Sequence, residues 1–284
     1  MSVEILHGDC LAVMATLPEH SVDMVLADLP YGTTYAPWDC LIDLPQLWAA
    51  WKRIVKPRAA IVLTASQPFT SVLVTSNLKQ FSVEWIWNKE NAANFANANR
   101  QPLKVHENVL VFSDDDEPNL SEDPSEDRAP FDVHESVLVF ADGQPLYRPQ
   151  KTSGKKNHAQ GKNAGENVSE TRLIRKRVAD DLSGMKFPKS IQTFPKHSSQ
   201  SKLHSAQKPE PLFRYFIETY SNPGDLVLDC VAGSGTTGEA ALRSGRRAIL
   251  IDLDPDCIAT MHARIESVRD ELRSQSSSTK RPTP

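Results

Sequence analysis

An acid, a rigid imino acid and an aromatic stand together in Asp28-Leu29-Pro30-Tyr31, with Gly32 following. That set suits one task, holding a planar ring that carries an amine. The exocyclic nitrogen of adenine or cytosine is a poor nucleophile because its lone pair is delocalised into the ring. Accepting its two N–H bonds, one at the Asp28 carboxylate and one at a backbone carbonyl of Leu29 or Pro30, would favour a tetrahedral nitrogen. Tyr31 would stack on the ring face, a contact worth roughly 1–3 kcal/mol per base. The competing reading is an ordinary strand-to-turn junction, in which Asp28 caps a turn and Tyr31 covers core.

A second constellation lies near the other end, Asp229-Cys-Val-Ala-Gly233-Ser-Gly235-Thr236-Thr-Gly238, with Asp252 further on. A strand feeding a glycine-rich turn and then a helix brings bare backbone close to a ligand. An acid at the end of the next strand sits where a ribose diol would be hydrogen-bonded. The same glycines satisfy GxGxxG, so a nicotinamide-dinucleotide dehydrogenase is a competing enzyme class. Against it, only 32 residues follow Asp252, too few to complete a doubly wound sheet, and Asp28-Leu-Pro-Tyr goes unexplained.

The elements that must position these residues alternate. Ser21–Ala27 is an apolar run suited to a strand buried on both faces, ending at Asp28, where open α/β sheets place active sites. Leu47, Trp48, Trp51 and Ile54 give residues 44–55 helical spacing, with Pro57 as the stop. Strands are predicted at 59–64 and 83–87. Residues 211–220 read as an amphipathic helix ended by the turn Asn222-Pro223-Gly224-Asp225. A short strand at 226–228, a helix at 236–243 and a strand at 248–251 follow. Such alternation predicts an α/β protein with a mostly parallel sheet covered on both faces. The Ser-, Thr- and Pro-rich tail 274–284 is predicted to be disordered.

Between the two constellations the charge is lopsided. Residues 114–142 hold eleven acids against Arg128 alone, and residues 143–205 hold thirteen Lys or Arg against four acids. The basic stretch reads either as a solvated loop or as a surface for a phosphate backbone. Part of the acidic stretch is a repeat: VHENVLVFSD at 105–114 recurs as VHESVLVFAD at 133–142. Two copies do not build a solenoid, so a local tandem duplication fits, with one copy filling a strand and the sequence silent on which.

Length and composition allow one large α/β domain, or one domain with a sizeable insertion. No apolar run approaches the ~18 residues of a membrane span, and no secretory leader is visible, which predicts a cytoplasmic protein without a membrane partner. Cys10, Cys40, Cys230 and Cys257 are scattered with no CxxC, so reduced thiols are favoured over a disulfide framework or a zinc site.

Taken together, the two constellations resemble the S-adenosylmethionine-dependent amino-methyltransferases of DNA, which act on adenine N6 or cytosine N4. Asp28-Leu-Pro-Tyr is similar to their catalytic tetrapeptide, and the 229–238 turn to their cofactor loop. His7-Gly8-Asp9-Cys10, Tyr31-Gly-Thr-Thr, Trp38-Asp39, Trp87-Asn-Lys89, the His-Glu-x-x-Leu-Val-Phe unit and Gln207-Lys208-Pro209 extend the likeness over most of 4–113 and 203–265. The order, catalytic motif first and cofactor loop last, resembles the permuted β group. Leu29 departs from the first proline of the tetrapeptide, Val231 from the phenylalanine of the cofactor loop, and Cys257 stands where an aromatic is common.

The resemblance implies a Rossmann-like, circularly permuted sheet with an inserted basic recognition segment, partitioned as follows. Residues 1–113 form the catalytic half, 114–142 the acidic repeat, 143–205 target recognition, 206–273 the cofactor half and 274–284 the tail. It implies S-adenosylmethionine as cofactor and double-stranded DNA as partner; a homodimer and a cognate restriction endonuclease fit the family too. Asp229, Gly233, Gly235 and Thr236 would form the cofactor turn, Asp252 would bind the ribose, Asp9 would lie near the cofactor's adenine and Lys208 near its methionine end. No metal is implied. Asp28 rather than serine at the first motif position favours adenine over cytosine, by base flipping and in-line displacement. Cytosine N4 methylation and a catalytically silent DNA-binding relative remain the alternatives.

Overall fold

A computed structural model of the chain describes residues 2–93, 104–112, 146–153, 185–195 and 207–278. The elements are β1 (Val3–His7), α1 (Cys10–Thr16), β2 (Val22–Ala27), α2 (Leu44–Ile54), β3 (Val55–Ala65), α3 (Phe69–Ser76), β4 (Phe81–Ala93) and β5 (Lys104–Phe112). They continue with β6 (Thr152–Ser153), β7 (Met185–Lys186), β8 (Ile191–Thr193), α4 (Glu210–Tyr220), β9 (Leu226–Asp229), α5 (Thr236–Arg243), β10 (Arg247–Asp252) and α6 (Pro255–Ser278). Pro149–Lys189 forms a compact unit of its own, in which β6 and β7 pair antiparallel.

The remaining unit is built on one eight-stranded sheet in the order β1-β10-β9-β2-β3-β5-β4-β8. The pairs from β1 to β3 are parallel, β5 is antiparallel to both of its neighbours, and β4 pairs parallel with β8. The mostly parallel α/β sheet read from the sequence is therefore present.

Strand side chains alternate between two apolar layers, which is why these strands read as unbroken apolar runs. Val25 and Ala27 of β2, Ile61 and Leu63 of β3 and Ile249 and Ile251 of β10 pack with Met14, Trp51 and Leu73 on one face. Met24 and Leu26, Ala60 and Val62, and Ala248 and Leu250 pack on the other with Phe213, Phe216, Ala240 and Met261. Side chains cap two helices at the outset: Asp9 accepts from Ala12 N and Asp43 from Gln46 N, each at 2.9 Å, satisfying amides that have no partner inside the helix.

Two expectations need correction. α2 ends at Ile54, ahead of Pro57, but the strand expected from 59 already begins at Val55. The register jumps from Val22↔Val55 to Met24↔Ala60, so Pro57 and the positive-φ Arg58 lie in a bulge, where a missing N–H breaks no ladder bond. The tail is not wholly without structure either, since α6 runs through Ser278. That helix is seated by buried Met261, Ile265 and Val268, and extending a helix already formed costs little.

Of the repeat, the first copy supplies β5. The second copy, the acidic stretch 114–142, most of the basic segment and residues 279–284 lie outside the described residues. Among the described residues no helix is long and apolar enough to cross a membrane. Cys10 and Cys230 are buried free thiols, and Cys40 and Cys257 are free as well.

Candidate active site

β2 and β9 are neighbours, paired Met24↔Val227 and Val25↔Leu228, yet the chain leaves them in opposite directions. After β2 it passes through α2 to β3 on one side; after β9 it passes through α5 to β10 on the other. A crevice opens at the carboxyl ends of strands where the winding reverses in this way. Asp28 directly follows β2 and the glycine turn directly follows β9, so both constellations meet at that point. Next in the sheet, β10 ends at Asp252, and β1 leads into Asp9. Four adjacent strands thus bring Asp9, Asp252, the 229–235 turn and Asp28 to a single edge.

The glycine turn is held from within. Thr237 Oγ1 donates to Asp229 Oδ2 at 2.5 Å and Val231 N to Asp229 Oδ1 at 3.1 Å. Burial pushes the Asp229 carboxyl up to about 7 in spite of those two donors, and the nearby Asp28 and Asp252 add to the rise. Gly233 (φ 51°) and Gly235 (φ 79°) take the left-handed conformation the turn demands. A Cβ on Gly233 would meet no atom within 4 Å, so bare backbone borders open space there, whereas one on Gly235 would lie 2.8 Å from Met261 Cγ. Gly233 N donates to Asp252 Oδ2 at 2.7 Å and Gly8 N to Asp252 O at 3.0 Å, which ties the turn to the ends of β10 and β1.

Thr236 is buried, and its hydroxyl accepts from Arg264 at 3.1 Å. Arg264 also donates to Ser234 O at 3.1 Å and pairs with Glu239 at 2.7 Å, so α6 braces the turn from behind. Asp9, exposed, is the cap of α1.

The Asp28 carboxylate is enclosed by donors. Tyr31 Oη donates to Asp28 Oδ1 at 2.6 Å, Thr64 Oγ1 donates to the same oxygen, and Lys208 Nζ donates to Asp28 Oδ2 at 2.6 Å. The Tyr31 ring, which the sequence reading reserves for a base, is stacked on Phe69 at 5.4 Å, and Lys208 Nζ lies 5.6 Å from its centroid. Burial and the adjacent Asp28 charge hold the Tyr31 hydroxyl well above its ordinary pKa. Leu29 is buried in the core, so its side chain does not enter the crevice.

Behind Asp28 lies a row of charges that the motifs do not announce, with Lys208 and Lys89 buried and Glu107 partly so. Lys208 Nζ is 3.2 Å from Glu107 Oε2, and Glu107 Oε1 pairs with Lys89. Burial alone would raise the Glu107 carboxyl, but Lys208 and Lys89 outweigh it and bring it down to about 2. Burial would likewise depress the Lys208 ammonium, yet Asp28 and Glu107 hold it well above its usual value. Lys208 therefore sits against Asp28 and the ring of Tyr31 in this structure. Sequence reasoning had placed Lys89 and Glu107 only within a family likeness; the available signal was a charge set beside apolar strand residues, Trp87-Asn-Lys89 and Glu107-Asn-Val-Leu.

Asp39 is the other residue whose role was missed. Buried, it accepts from the backbone amides of Tyr31 (2.7 Å), Gly32 (2.8 Å), Thr33 (2.9 Å) and Thr34 (2.7 Å), and from Thr34 Oγ1 at 2.8 Å. Burial works against its charge, but those hydrogen bonds prevail and lower its pKa. One carboxylate thus fixes the loop that leaves the tetrapeptide.

A family model described as DNA methylase, covering the N6 and N4 enzymes, matches residues 22–262. The chain belongs to that family. It is 28% identical over 271 residues to the DNA adenine methyltransferase YhdJ of Escherichia coli K12, an alignment covering 89% of this chain and 79% of YhdJ. It is 24% identical to the type II methyltransferase M.HinfI of Haemophilus influenzae, covering 93% of this chain and 68% of that one. Two solved structures share the fold. PvuII DNA methyltransferase, described as cytosine-N4-specific, superposes with a TM-score of 0.59 at 16% identity, covering 95% of this chain and 91% of its own. M1.HpyAVI, solved in complex with SAM, superposes with a TM-score of 0.56 at 19% identity, covering 93% and 98%.

Proposed function

We propose that this DNA methylase transfers a methyl group from S-adenosylmethionine to N6 of adenine in double-stranded DNA. The observation that carries the reading is the meeting of Asp28 with the glycine turn at the reversal point between β2 and β9. The residues present suit the cofactor: Gly233 offers bare backbone beside open space, and Asp252 ends the adjacent strand where a ribose would bond. The cofactor supplies a methyl already activated on a sulfonium.

The protein's own contribution is positioning. The target base, extruded from the duplex because its amine is otherwise out of reach, is held with one N–H on the Asp28 carboxylate and the other on the Leu29 or Pro30 carbonyl. Localising the lone pair on nitrogen and aiming it at the reacting carbon supplies much of the rate. Thr64, Tyr31 and Lys208 keep the acceptor in place. Asp229, Gly233, Gly235 and Asp252 form the cofactor cradle, with Asp9 beside it; Thr236 acts through Arg264 and the turn. The basic segment supplies phosphate contacts, and the type II name of M.HinfI favours pairing with a restriction endonuclease.

Transfer of labelled methyl from S-adenosylmethionine to mixed-sequence duplex DNA, followed by digestion to nucleosides, tests this reading. Label in N6-methyladenosine is expected. Label in N4-methylcytosine would overturn the choice of base, and cofactor and DNA binding without transfer would favour a silent relative.

A further inference from the structure

Beyond Tyr31 the chain makes a tight outward loop. Its base is fixed by the Asp39 carboxylate, and its far side is closed by Asp39 N donating to Ala36 O at 3.0 Å and Cys40 Sγ to Pro37 O at 3.3 Å. At the tip Tyr35 is 109% exposed, so its ring is left uncovered among the described residues, and Trp38 (48%) and Leu41 (62%) flank it. An aromatic ring left wholly in water forgoes the stabilisation that burial would bring, yet here a loop anchored on one carboxylate presents it. Rigid presentation of an aromatic lowers the entropic cost of docking it. Between Asp28 and Asp39 the loop carries no charged residue, so phosphates are not repelled from it. Tyr35 is four residues from Tyr31, hence within about 14 Å of it along the chain.

We propose that residues 32–41 form a duplex-facing wedge, and that Tyr35 stacks into the gap left in the helix when the target base turns toward Asp28. The proposal rests on the reading of the protein as a duplex-DNA methyltransferase. Extruding a base costs its stacking and pairing on both sides, and an aromatic ring entering the vacancy restores part of that stacking. Neighbouring Trp38 and Leu41 widen the apolar contact with the exposed step. Leu41 has a second duty, since its side chain covers Gly32, where a Cβ would lie 2.9 Å from Leu41 Cγ.

Tyr35 is wholly exposed, so Tyr35→Ala removes no buried contact among the described residues. The test compares wild type, Tyr35→Ala and Tyr35→Phe on two duplexes that carry the mapped target site. One is fully paired; the other has an abasic position opposite the target, which weakens its pairing in advance. On the paired duplex Tyr35→Ala should lose about tenfold or more in single-turnover transfer, as expected for one lost stacking contact, and Tyr35→Phe should stay near wild type. On the abasic duplex the deficit of Tyr35→Ala should largely vanish, and 2-aminopurine at the target should show the same pattern in fluorescence. An equal loss on both duplexes, or no loss on either, overturns the wedge. Absence of transfer by the wild type on both would instead overturn the methyltransferase reading beneath it.

Discussion

Lys208 Nζ lies 2.6 Å from Asp28 Oδ2, a bond between residues 180 positions apart in the chain. Through Glu107 the ammonium is linked to Lys89, so two cations and two carboxylates alternate beneath the crevice. In the proposed mechanism an acceptor for an N–H must stay put. Lys208 holds the Asp28 carboxylate, and Glu107 holds Lys208 against Asp28.

Asp28→Ala removes the acceptor and leaves the 229–235 turn untouched. Methyl transfer should fall at least about a hundredfold, in line with loss of a preorganised polar group at a reacting centre. Binding of S-adenosylmethionine, followed by calorimetry, should change little. Full activity in this variant would remove Asp28 from the mechanism.

Glu107→Gln removes the negative charge that lies between Lys89 and Lys208, and unfolding by urea should show a loss of about 3–5 kcal/mol at neutral pH. The pH dependence has a definite sign. A carboxyl lowered from its ordinary 4.5 to about 2 in the folded protein contributes stability that is present above 4.5 and is lost as the pH falls toward 2. Wild-type stability should therefore decline through that window more steeply than that of Glu107→Gln.

Asp229 behaves in the opposite way. Its carboxyl is raised from 3.8 to about 7 by burial, so its stabilising contribution is complete below 3.8 and disappears as the pH rises through 7. Relative to wild type, Asp229→Asn should be more stable at pH 8 than at pH 4, by on the order of a few kcal/mol. Paired urea melts at the two values provide the check; a difference that does not move with pH would contradict the burial argument.

Gly235→Ala forces a side chain onto a φ of 79° with its Cβ 2.8 Å from Met261 Cγ. A backbone strain of about 1–3 kcal/mol is expected, expressed as weaker S-adenosylmethionine binding in calorimetry and a lower Tm. Serine at the same position should fare no better, because the obstacle is the Cβ itself.

The parts legible in the sequence were those with local causes. The strands ending at Ala27, Asp229 and Asp252 are short apolar runs closed by an acid or a glycine turn, and the helices at 210–220 and 236–243 carry their own spacing and stops. Those strands and turns bring the two constellations together. The Lys208–Asp28 bond, the Lys89–Glu107 pair and the contact of Thr64 with Asp28 had no local cause to read, because each depends on which strands become neighbours. The early start of β3 was missed for a related reason, since only its pairing with β2 reveals the bulge around Pro57. Asp39 was visible as a residue near the tetrapeptide, but one carboxylate collecting four successive amides is a property of the folded loop.

The adjacency of β2 and β9 also bears on what the rest of the chain is free to become. The sheet's central seam joins an early strand to a late one, and between them a long connection leaves the end of β5, a strand the sheet has already fixed. The entropic cost of closing such a connection grows only with the logarithm of its length, so doubling it costs about 0.6 kcal/mol. A 28-residue duplication is thermodynamically cheap at that place, whereas the same insertion within β2 or β9 would split both apolar layers. In the proposed reading, which assigns target choice to that stretch, its connections can change in length without disturbing the seam between β2 and β9.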